Sequence, residues 1–222
     1  MISYLFLGIF VVAAVFNLIG TRKGLERFAK ISKPFLLISL CLYCLFKGLP
    51  NPDFILMGAL FACWLGDILI NPSNDKMFVI GGAAFFVGHI LLILSFAFKT
   101  DFSSFPIAIV IPIAIVYLAV SASVIFTSKK NASKIMLVPL FLYLVANSLT
   151  NIFALVLMIN SFGIWHILSY VGAVLFFMSD CALFLLKYVP EKPRFYKTDL
   201  FVMSTYITGL LLITIGLTPL FG

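Results

Sequence analysis

Charged residues are scarce in this chain. Only 10% of its 222 residues are Asp, Glu, Lys or Arg, whereas 63% are hydrophobic. Soluble globular domains have about a quarter of their residues charged, because a polar shell has to cover the apolar core. The mean hydropathy of +1.19 points in the same direction. The composition therefore excludes an ordinary water-soluble domain and indicates a protein whose apolar side chains face lipid.

Cysteine and histidine are rare as well, with four and two residues respectively. All four cysteines lie within long apolar runs, so the sequence predicts no disulfide framework. Cys41 and Cys44 have the spacing of a redox or metal pair, but within an apolar helix two small packing residues are the simpler interpretation. Alternation of polar and apolar residues at period two is also missing, which argues against a membrane β-barrel.

Long apolar runs are what the chain does have. A helix needs ~20 mostly apolar residues to cross the hydrocarbon layer of a bilayer. Eight runs of suitable length occur, at 2–20, 33–48, 52–71, 77–98, 105–127, 134–159, 162–187 and 197–220. Short linkers with charged or helix-breaking residues separate them, among them Pro190 and Pro193. We predict an all-α fold, a polytopic bundle of eight transmembrane helices that forms a single transmembrane domain over residues 1–222.

The basic residues are distributed unevenly along this predicted bundle. If successive spans alternate in direction, Lys47 and Lys99 fall on one side and the other 13 of the 15 Lys and Arg residues on the opposite side. Lys and Arg concentrate in cytoplasmic loops, so we expect both termini to be non-cytoplasmic. The net charge of +7 then reflects topology and attraction to anionic lipid, not nucleic-acid binding. A bacterial inner membrane and an endoplasmic-reticulum membrane fit equally well.

The start of the chain is consistent with this topology. Residues 1–20 have no basic segment in front of the apolar run, and Arg22 and Lys23 follow it. A cleaved signal peptide has the opposite order, with basic residues first. We therefore expect this run to be the first transmembrane span.

Four ionisable residues within the predicted spans are candidates for function, because such groups are costly in a membrane. At a rise of ~1.5 Å per residue, Asp67 and Asp180 lie about 6 and 10 Å from the cytoplasmic ends of spans three and seven. His89 lies about 18 Å deep, near mid-membrane. His166 follows Trp165 near the outer surface, which is typical of an interfacial residue. The sequence thus predicts two carboxylates at similar depth on the cytoplasmic side.

Further polar residues lie somewhat deeper than the two aspartates. They come from spans five, six and eight and are Tyr117, Tyr143, Asn147 and Tyr206. Tyr143, Asn147 and Asn151 are spaced four residues apart, so they share one face of span six. Hydrogen bonding between membrane helices is an alternative explanation for such residues. Small residues on spans three, four and seven would allow the helices that carry the candidates to approach closely.

Several segments resemble the lysoplasmalogenase (YhhN-like) family. The motifs that carry the resemblance are Gly58-Ala-Leu-Phe-Ala-Cys-Trp-Leu-Gly66-Asp67-Ile-Leu-Ile, Gly82-Ala-Ala-Phe-Phe-Val-Gly-His89 and Gly172-Ala-Val-Leu-Phe-Phe-Met-Ser179-Asp180, with Lys33-Pro34 and Thr205-Tyr206. They occur in the order expected for the family and extend over nearly the whole chain. The resemblance implies an enzyme that cleaves the vinyl-ether bond of lysoplasmalogens and releases a fatty aldehyde and a glycerophospho-ethanolamine or -choline.

The candidate residues suit this reaction, which requires an acid and a base. We expect Asp67 and Asp180 to be catalytic, with no metal and no cofactor. Neither aspartate is assigned to the acid or the base by the sequence. The residues expected to bind or orient the lysophospholipid substrate and water are Lys33, His89, Tyr117, Tyr143, Asn147 and Tyr206.

Two other functions stay open at this point. A zinc-dependent lipid amidase resembling the membrane ceramidases needs several histidine ligands, and only His89 lies at a suitable depth. A proton-coupled transporter uses buried Asp and His residues as a relay, but transporters often show internal repeats or broken helices, which are not evident here. The oligomeric state does not follow from the sequence.

Overall fold

The computed structural model describes residues 2–70, 73–189 and 198–220, and these residues form an all-α structure. Eight helices are present within these ranges: α1 (Ile2–Arg22), α2 (Glu26–Gly48), α3 (Phe54–Leu69), α4 (Asp75–Lys99), α5 (Ile107–Ser128), α6 (Lys134–Asn160), α7 (Ile164–Tyr188) and α8 (Asp199–Leu217). Seven of them are long and apolar enough to cross a membrane. The prediction of an all-helical, multi-pass membrane protein is confirmed.

The helix boundaries lie within three residues of the predicted spans, except at the start of α2. Helix α2 begins at Glu26, seven residues before the predicted start of its span. Its first turns carry Arg27, Lys30 and Lys33, so they are not part of an uncharged run. Long basic side chains can nevertheless reach the membrane surface from inside a helix. Helix α3 has 16 residues, about 24 Å at ~1.5 Å per residue, and is shorter than predicted. The linker around Pro190 and Pro193 lies outside the described residues, as do Asn71 and Pro72.

The chain forms two compact units. One comprises residues Met1–Leu92 together with Leu220–Gly222, and the other comprises Ile93–Pro219. In the first unit α1 packs along α2, and the turn between them depends on Gly24. This residue has φ = +67°, a left-handed conformation that glycine adopts without steric cost. The Leu25 N–H then donates to the Gly20 carbonyl at 2.8 Å, as in a Schellman motif that closes a helix.

Helices α3 and α4 approach closely within the first unit. A Cβ atom added to Gly88 would lie 2.7 Å from the Cys63 Sγ atom, and one added to Gly66 would lie 2.5 Å from the Phe85 ring. Helix α3 is also joined to α2, because the Trp64 Nε1–H donates to the Pro34 carbonyl at 2.9 Å. These contacts determine which residues of α2, α3 and α4 lie at the same level.

The second unit contains the end of α4 and helices α5 to α8. Helices α7 and α8 meet at their backbones, since a Cβ atom on Gly172 would lie 2.6 Å from the Gly209 carbonyl oxygen. The linker before α5 is attached to the end of α6, where Asn160 donates to the Asp101 carbonyl at 2.6 Å. Hydrogen bonds from the Ser103 N–H and hydroxyl lower the pKa of Asp101 below its ordinary value. The single domain predicted from the sequence stays a prediction.

Candidate functional site

An ion pair joins two of the predicted site residues in the first unit. The Lys33 Nζ atom lies 2.9 Å from Asp67 Oδ1, and the side chains are 24% and 2% exposed respectively. Asp67 lies in the last turn of α3, and Lys33 lies in the second turn of α2. A carboxylate this deeply buried loses its hydration, so an ammonium at this distance stabilises its charged form. The sequence singled out both residues but did not predict their contact.

His89 is completely buried in α4. The glycine contacts between α3 and α4 show which residues of α3 lie at the level of His89. Gly88 faces Cys63, and Phe85 faces Gly66. By this register His89 lies about five residues from the level of Asp67, or about 7.5 Å along the helix axis, on the side where α3 begins. The membrane depths predicted for the two residues stay predictions.

Asp180 is held by two donors in the second unit. The Tyr143 hydroxyl donates to its Oδ2 atom at 2.8 Å, and the Asn147 amide donates to the same atom at 2.7 Å. Tyr143 and Asn147 are four residues apart on α6, so both face α7. All three side chains are buried. The predicted site residues Tyr143, Asn147 and Asp180 are therefore in direct contact.

The hydrogen bonds continue beyond Asn147 along α6. The Asn151 amide donates to Asn147 Oδ1 at 3.3 Å, and the Tyr117 hydroxyl donates to Asn151 Oδ1 at 3.1 Å. The Tyr170 hydroxyl lies 3.4 Å from that of Tyr117. We call Tyr117, Asn151 and Asn147 the polar ladder. Every donor in the ladder points towards Asp180, an arrangement that stabilises negative charge on this carboxyl, since linked hydrogen bonds polarise one another.

Two residues of this hydrogen-bond network were not predicted as site residues. Asn151 was visible through its spacing from Tyr143 and Asn147 but was not predicted as a site residue. Tyr170 was missed, because a tyrosine near the outer part of a span looks like an interfacial residue. Its contact with Tyr117 depends on how α5 and α7 are rotated about their axes.

The other candidates have separate positions. Tyr206 is buried in α8, and its ring lies edge-on to Phe176 at 5.5 Å between centroids. A ring nitrogen of His166 contacts the Ser161 carbonyl just before α7. His166 lies 14 residues before Asp180 on the same helix, or about 21 Å away along the axis. This separation favours a structural role for His166.

All four cysteines are buried thiols. The Cys41 thiol lies 3.7 Å from the Met57 carbonyl oxygen, which is a contact between α2 and α3. This is consistent with the packing role expected for Cys41. Among the described residues no three His, Cys, Asp or Glu side chains are clustered in a way that would hold a metal ion. The expectation that the protein uses no metal stays a prediction.

Each unit thus contains one buried aspartate with its own set of partners. Asp67 has an ammonium beside it, and Asp180 has a tyrosine and an amide. Carboxyl groups held in this way can donate or accept a proton at a defined position, which is the requirement for general acid–base chemistry.

A comparison with known proteins gives the family of the chain. The model of the YhhN family matches residues 28–217, which include Lys33, Asp67, His89, the polar ladder and Asp180. No curated protein and no solved structure shows significant similarity to the chain. Because the family match covers most of the chain, this protein belongs to the YhhN family, the family of lysoplasmalogenases.

Proposed function

We propose that this protein is a membrane-embedded hydrolase that cleaves the vinyl-ether bond of lysoplasmalogens. The products are a fatty aldehyde and a glycerophospho-ethanolamine or -choline, and the reaction uses no metal or cofactor. Membership of the YhhN family supports the reaction class. The observation that carries the proposal is the presence of two buried aspartates with different partners, one beside an ammonium and one at the end of the polar ladder.

The chemistry of a vinyl ether explains why two such carboxyls are needed. Hydrolysis begins with transfer of a proton to the β-carbon of the double bond, which leaves an oxocarbenium ion. Water then adds to this cation while a base accepts a proton, and the resulting hemiacetal collapses to the aldehyde and the free glycerol hydroxyl. Glycosidases pass through a similar cation and use a pair of carboxyl groups in the same two roles.

The surroundings of each aspartate support a division of roles. Lys33 balances the charge of Asp67, so we assign Asp67 as the carboxylate that stabilises the cation and accepts the proton from water. Because the ammonium favours the ionised form of Asp67, we assign Asp180 as the group that carries the proton and acts as the acid. The Tyr143 and Asn147 donors then stabilise the carboxylate that forms as this proton is transferred. This assignment goes beyond the sequence, which did not distinguish the two.

The remaining candidates have supporting roles in the proposal. The Lys33 ammonium contacts Asp67, so we assign it to holding that carboxylate, and the contact with substrate phosphate expected from the sequence stays a prediction. His89, Tyr117 and Tyr206 are proposed to orient water or the substrate. Tyr143 and Asn147 position Asp180 through the hydrogen bonds described above.

Aldehyde release from a lysoplasmalogen by the detergent-purified protein tests the proposal. We expect Asp67→Asn and Asp180→Asn each to lower the rate by at least about a hundredfold, the usual effect of losing a general acid or base. The matched control is Asp101→Asn, which makes the same change at an exposed loop carboxyl. A second control, His166→Ala, should leave the rate near that of the wild type.

The outcome that contradicts the proposal is robust turnover in either of the two aspartate variants, provided that both elute as folded protein. The same preparation distinguishes the other functions. Activity that a chelator abolishes and zinc restores would identify a zinc enzyme. Proton flux in liposomes that depends on Asp67 and Asp180, without aldehyde release, would identify a transporter.

A further inference from the structure

An open groove lies between α1 and α2 in the first unit. It has a volume of about 700 Å³ and is lined almost entirely by apolar atoms. On α1 it is bordered by Tyr4, Gly8, Val12 and Phe16, and on α2 by Phe28 and Phe35. From Tyr4 to Phe16 the groove follows α1 for 12 residues, or about 18 Å at ~1.5 Å per residue. This length is that of an extended acyl chain of a membrane lipid, about half of a hydrocarbon layer ~30 Å thick.

The two ends of the groove differ. At one end the Tyr4 hydroxyl donates to the Leu220 carbonyl at 2.7 Å, so the ring is held in place. The other end reaches the turn between α1 and α2, because Gly20 faces Phe28 and Ala29 there. The groove thus runs from Tyr4 to the turn that joins the two helices.

Basic side chains surround the end at this turn. Arg22, Lys23 and Arg27 are all exposed. Lys23 is seven residues after Phe16, which is two helical turns, so it continues the groove side of α1. Its N–H donates to the Ile19 carbonyl at 3.0 Å, so the helical pattern persists to this residue. Arg27 directly precedes Phe28 on α2. The segment 22–30 contains four basic residues, Arg22, Lys23, Arg27 and Lys30, and one acidic residue, Glu26, so its net charge is +3.

This groove is separate from the site described above. Lys33 is five residues after Phe28, which places it about 140° around α2 from the groove. Its ammonium is paired with Asp67 on α3. Moreover, α1 ends at Arg22, before the first residue of the family match at position 28. The groove therefore depends on a helix that the family match does not include.

We propose that the groove between α1 and α2 binds an anionic phospholipid of the surrounding membrane. One acyl chain lies in the apolar groove, and the phosphate contacts Arg22, Lys23 and Arg27. The apolar walls match the chain, and the positive charge at one end matches the headgroup. Basic clusters directly beside a transmembrane helix bind anionic lipids in this way.

Competition between two lipids tests the proposal. The purified wild-type protein is exposed to equal amounts of phosphatidylglycerol and phosphatidylcholine with the same chains, and the lipid retained is measured by native mass spectrometry. We expect a preference for phosphatidylglycerol of roughly tenfold or more. The variant Arg22→Gln/Lys23→Gln/Arg27→Gln should lose this preference. The matched control Lys76→Gln/Lys129→Gln/Lys130→Gln removes as much positive charge elsewhere and should keep it.

A second variant tests the groove itself. Gly8 borders the groove, and a Cβ atom on it would meet no atom within 4 Å, so the side chain of Gly8→Leu has room to enter the groove. We expect this variant to lose retention of both lipids, whereas Val11→Phe, on an exposed position of α1 outside the groove lining, should behave as the wild type.

Three results would overturn the proposal. The first is equal retention of the two lipids by the wild type. The second is an equal loss of preference in the control that removes distant charges. The third is a lipid-free dimer that Gly8→Leu dissociates, which would assign the groove to a second copy of the chain.

Discussion

Lys33 and Asp67 form an ion pair inside the first unit. Their atoms are 2.9 Å apart, and the carboxylate is almost completely buried. In a buried pair the attraction offsets the loss of hydration only while both partners are present. Removing one partner leaves a buried charge without compensation, whereas removing both charges together can be nearly neutral.

This asymmetry leads to a prediction for stability. We expect Lys33→Met to lower the midpoint of thermal unfolding in detergent, because Asp67 then remains charged without its ammonium. The double variant Lys33→Met/Asp67→Asn should regain most of the lost stability. Lys76→Met, which removes an exposed lysine at the start of α4, is the control and should unfold as the wild type does. Additive effects of the two single substitutions would show that the ion pair is not coupled.

The polar ladder allows a second prediction, on catalysis. Asn151 does not contact Asp180, but it holds the Asn147 amide that does. We expect Asn151→Ala to lower kcat about tenfold while KM changes little, because the carboxyl is less well oriented and the ladder less polarised. Tyr117→Phe removes the preceding donor, so its effect should have the same direction.

Ser148→Ala is the matched control for this prediction. Ser148 is also buried on α6, but it bonds to Ser121 and to the Leu144 carbonyl, outside the ladder. We expect its kcat and KM to stay near the wild-type values. An equal loss of kcat in Ser148→Ala would mean that any polar residue of α6 matters and that the ladder has no specific role.

Between helices, glycines determine how closely the elements approach. Gly88 of α4 leaves room for Cys63 of α3, whereas a Cβ atom on Gly82 of the same helix would meet no atom within 4 Å. Both residues occupy the middle of a helix, so the same substitution has the same effect on helix propensity. The difference in stability between Gly88→Ala and Gly82→Ala therefore measures the contact between α3 and α4.

A prediction for stability follows from this difference. We expect Gly88→Ala to destabilise the protein by about 1–3 kcal/mol, the usual cost of inserting a methyl group into a packed contact. Gly82→Ala should be neutral or slightly stabilising, because alanine favours a helix. Adding Cys63→Ala to Gly88→Ala removes the sulfur 2.7 Å from the new methyl group and should restore part of the loss. Equal unfolding midpoints for the two glycine variants would contradict the close contact.

At the scale of the whole molecule, two contacts to Leu220 bear on the topology. The Tyr4 hydroxyl and the Lys47 ammonium both bond to the Leu220 carbonyl, at 2.7 and 3.0 Å. The start of α1, the end of α2 and Leu220 therefore meet within the first unit. Lys47 is one of the two basic residues that the sequence assigns to the non-cytoplasmic side, and it lies beside Leu220.

This arrangement leads to a prediction for topology. A reporter fused after Gly222 should score as non-cytoplasmic, because 13 of 15 basic residues then lie in cytoplasmic loops. The same reporter inserted between Lys130 and Asn131 should score as cytoplasmic and serves as the control. A cytoplasmic score at Gly222 would reverse the topology and the membrane depths inferred for Asp67 and Asp180.

The sequence by itself determined that the protein is surrounded by lipid, that it is all-helical, and which ionisable residues are candidates for the site. A membrane helix satisfies its backbone hydrogen bonds within its own segment. Each span can therefore be identified from its own run of apolar residues. Ionisable residues such as Asp67 and Asp180 stand out within those runs for the same reason. The start of α2 at Glu26 did not follow from the runs, because its first turns are basic and lie where hydropathy is low.

Only the tertiary structure decided which candidates touch. Lys33 meets Asp67, and Asn147 meets Asp180, because neighbouring helices have particular rotations and levels. These depend on close contacts such as Gly88 against Cys63, and spacing within one helix carries no information about the neighbour that it faces. Tyr170 was missed for this reason. The pairing of polar groups is a property of the packed helices, since burial penalises any group whose partner lies at the wrong level.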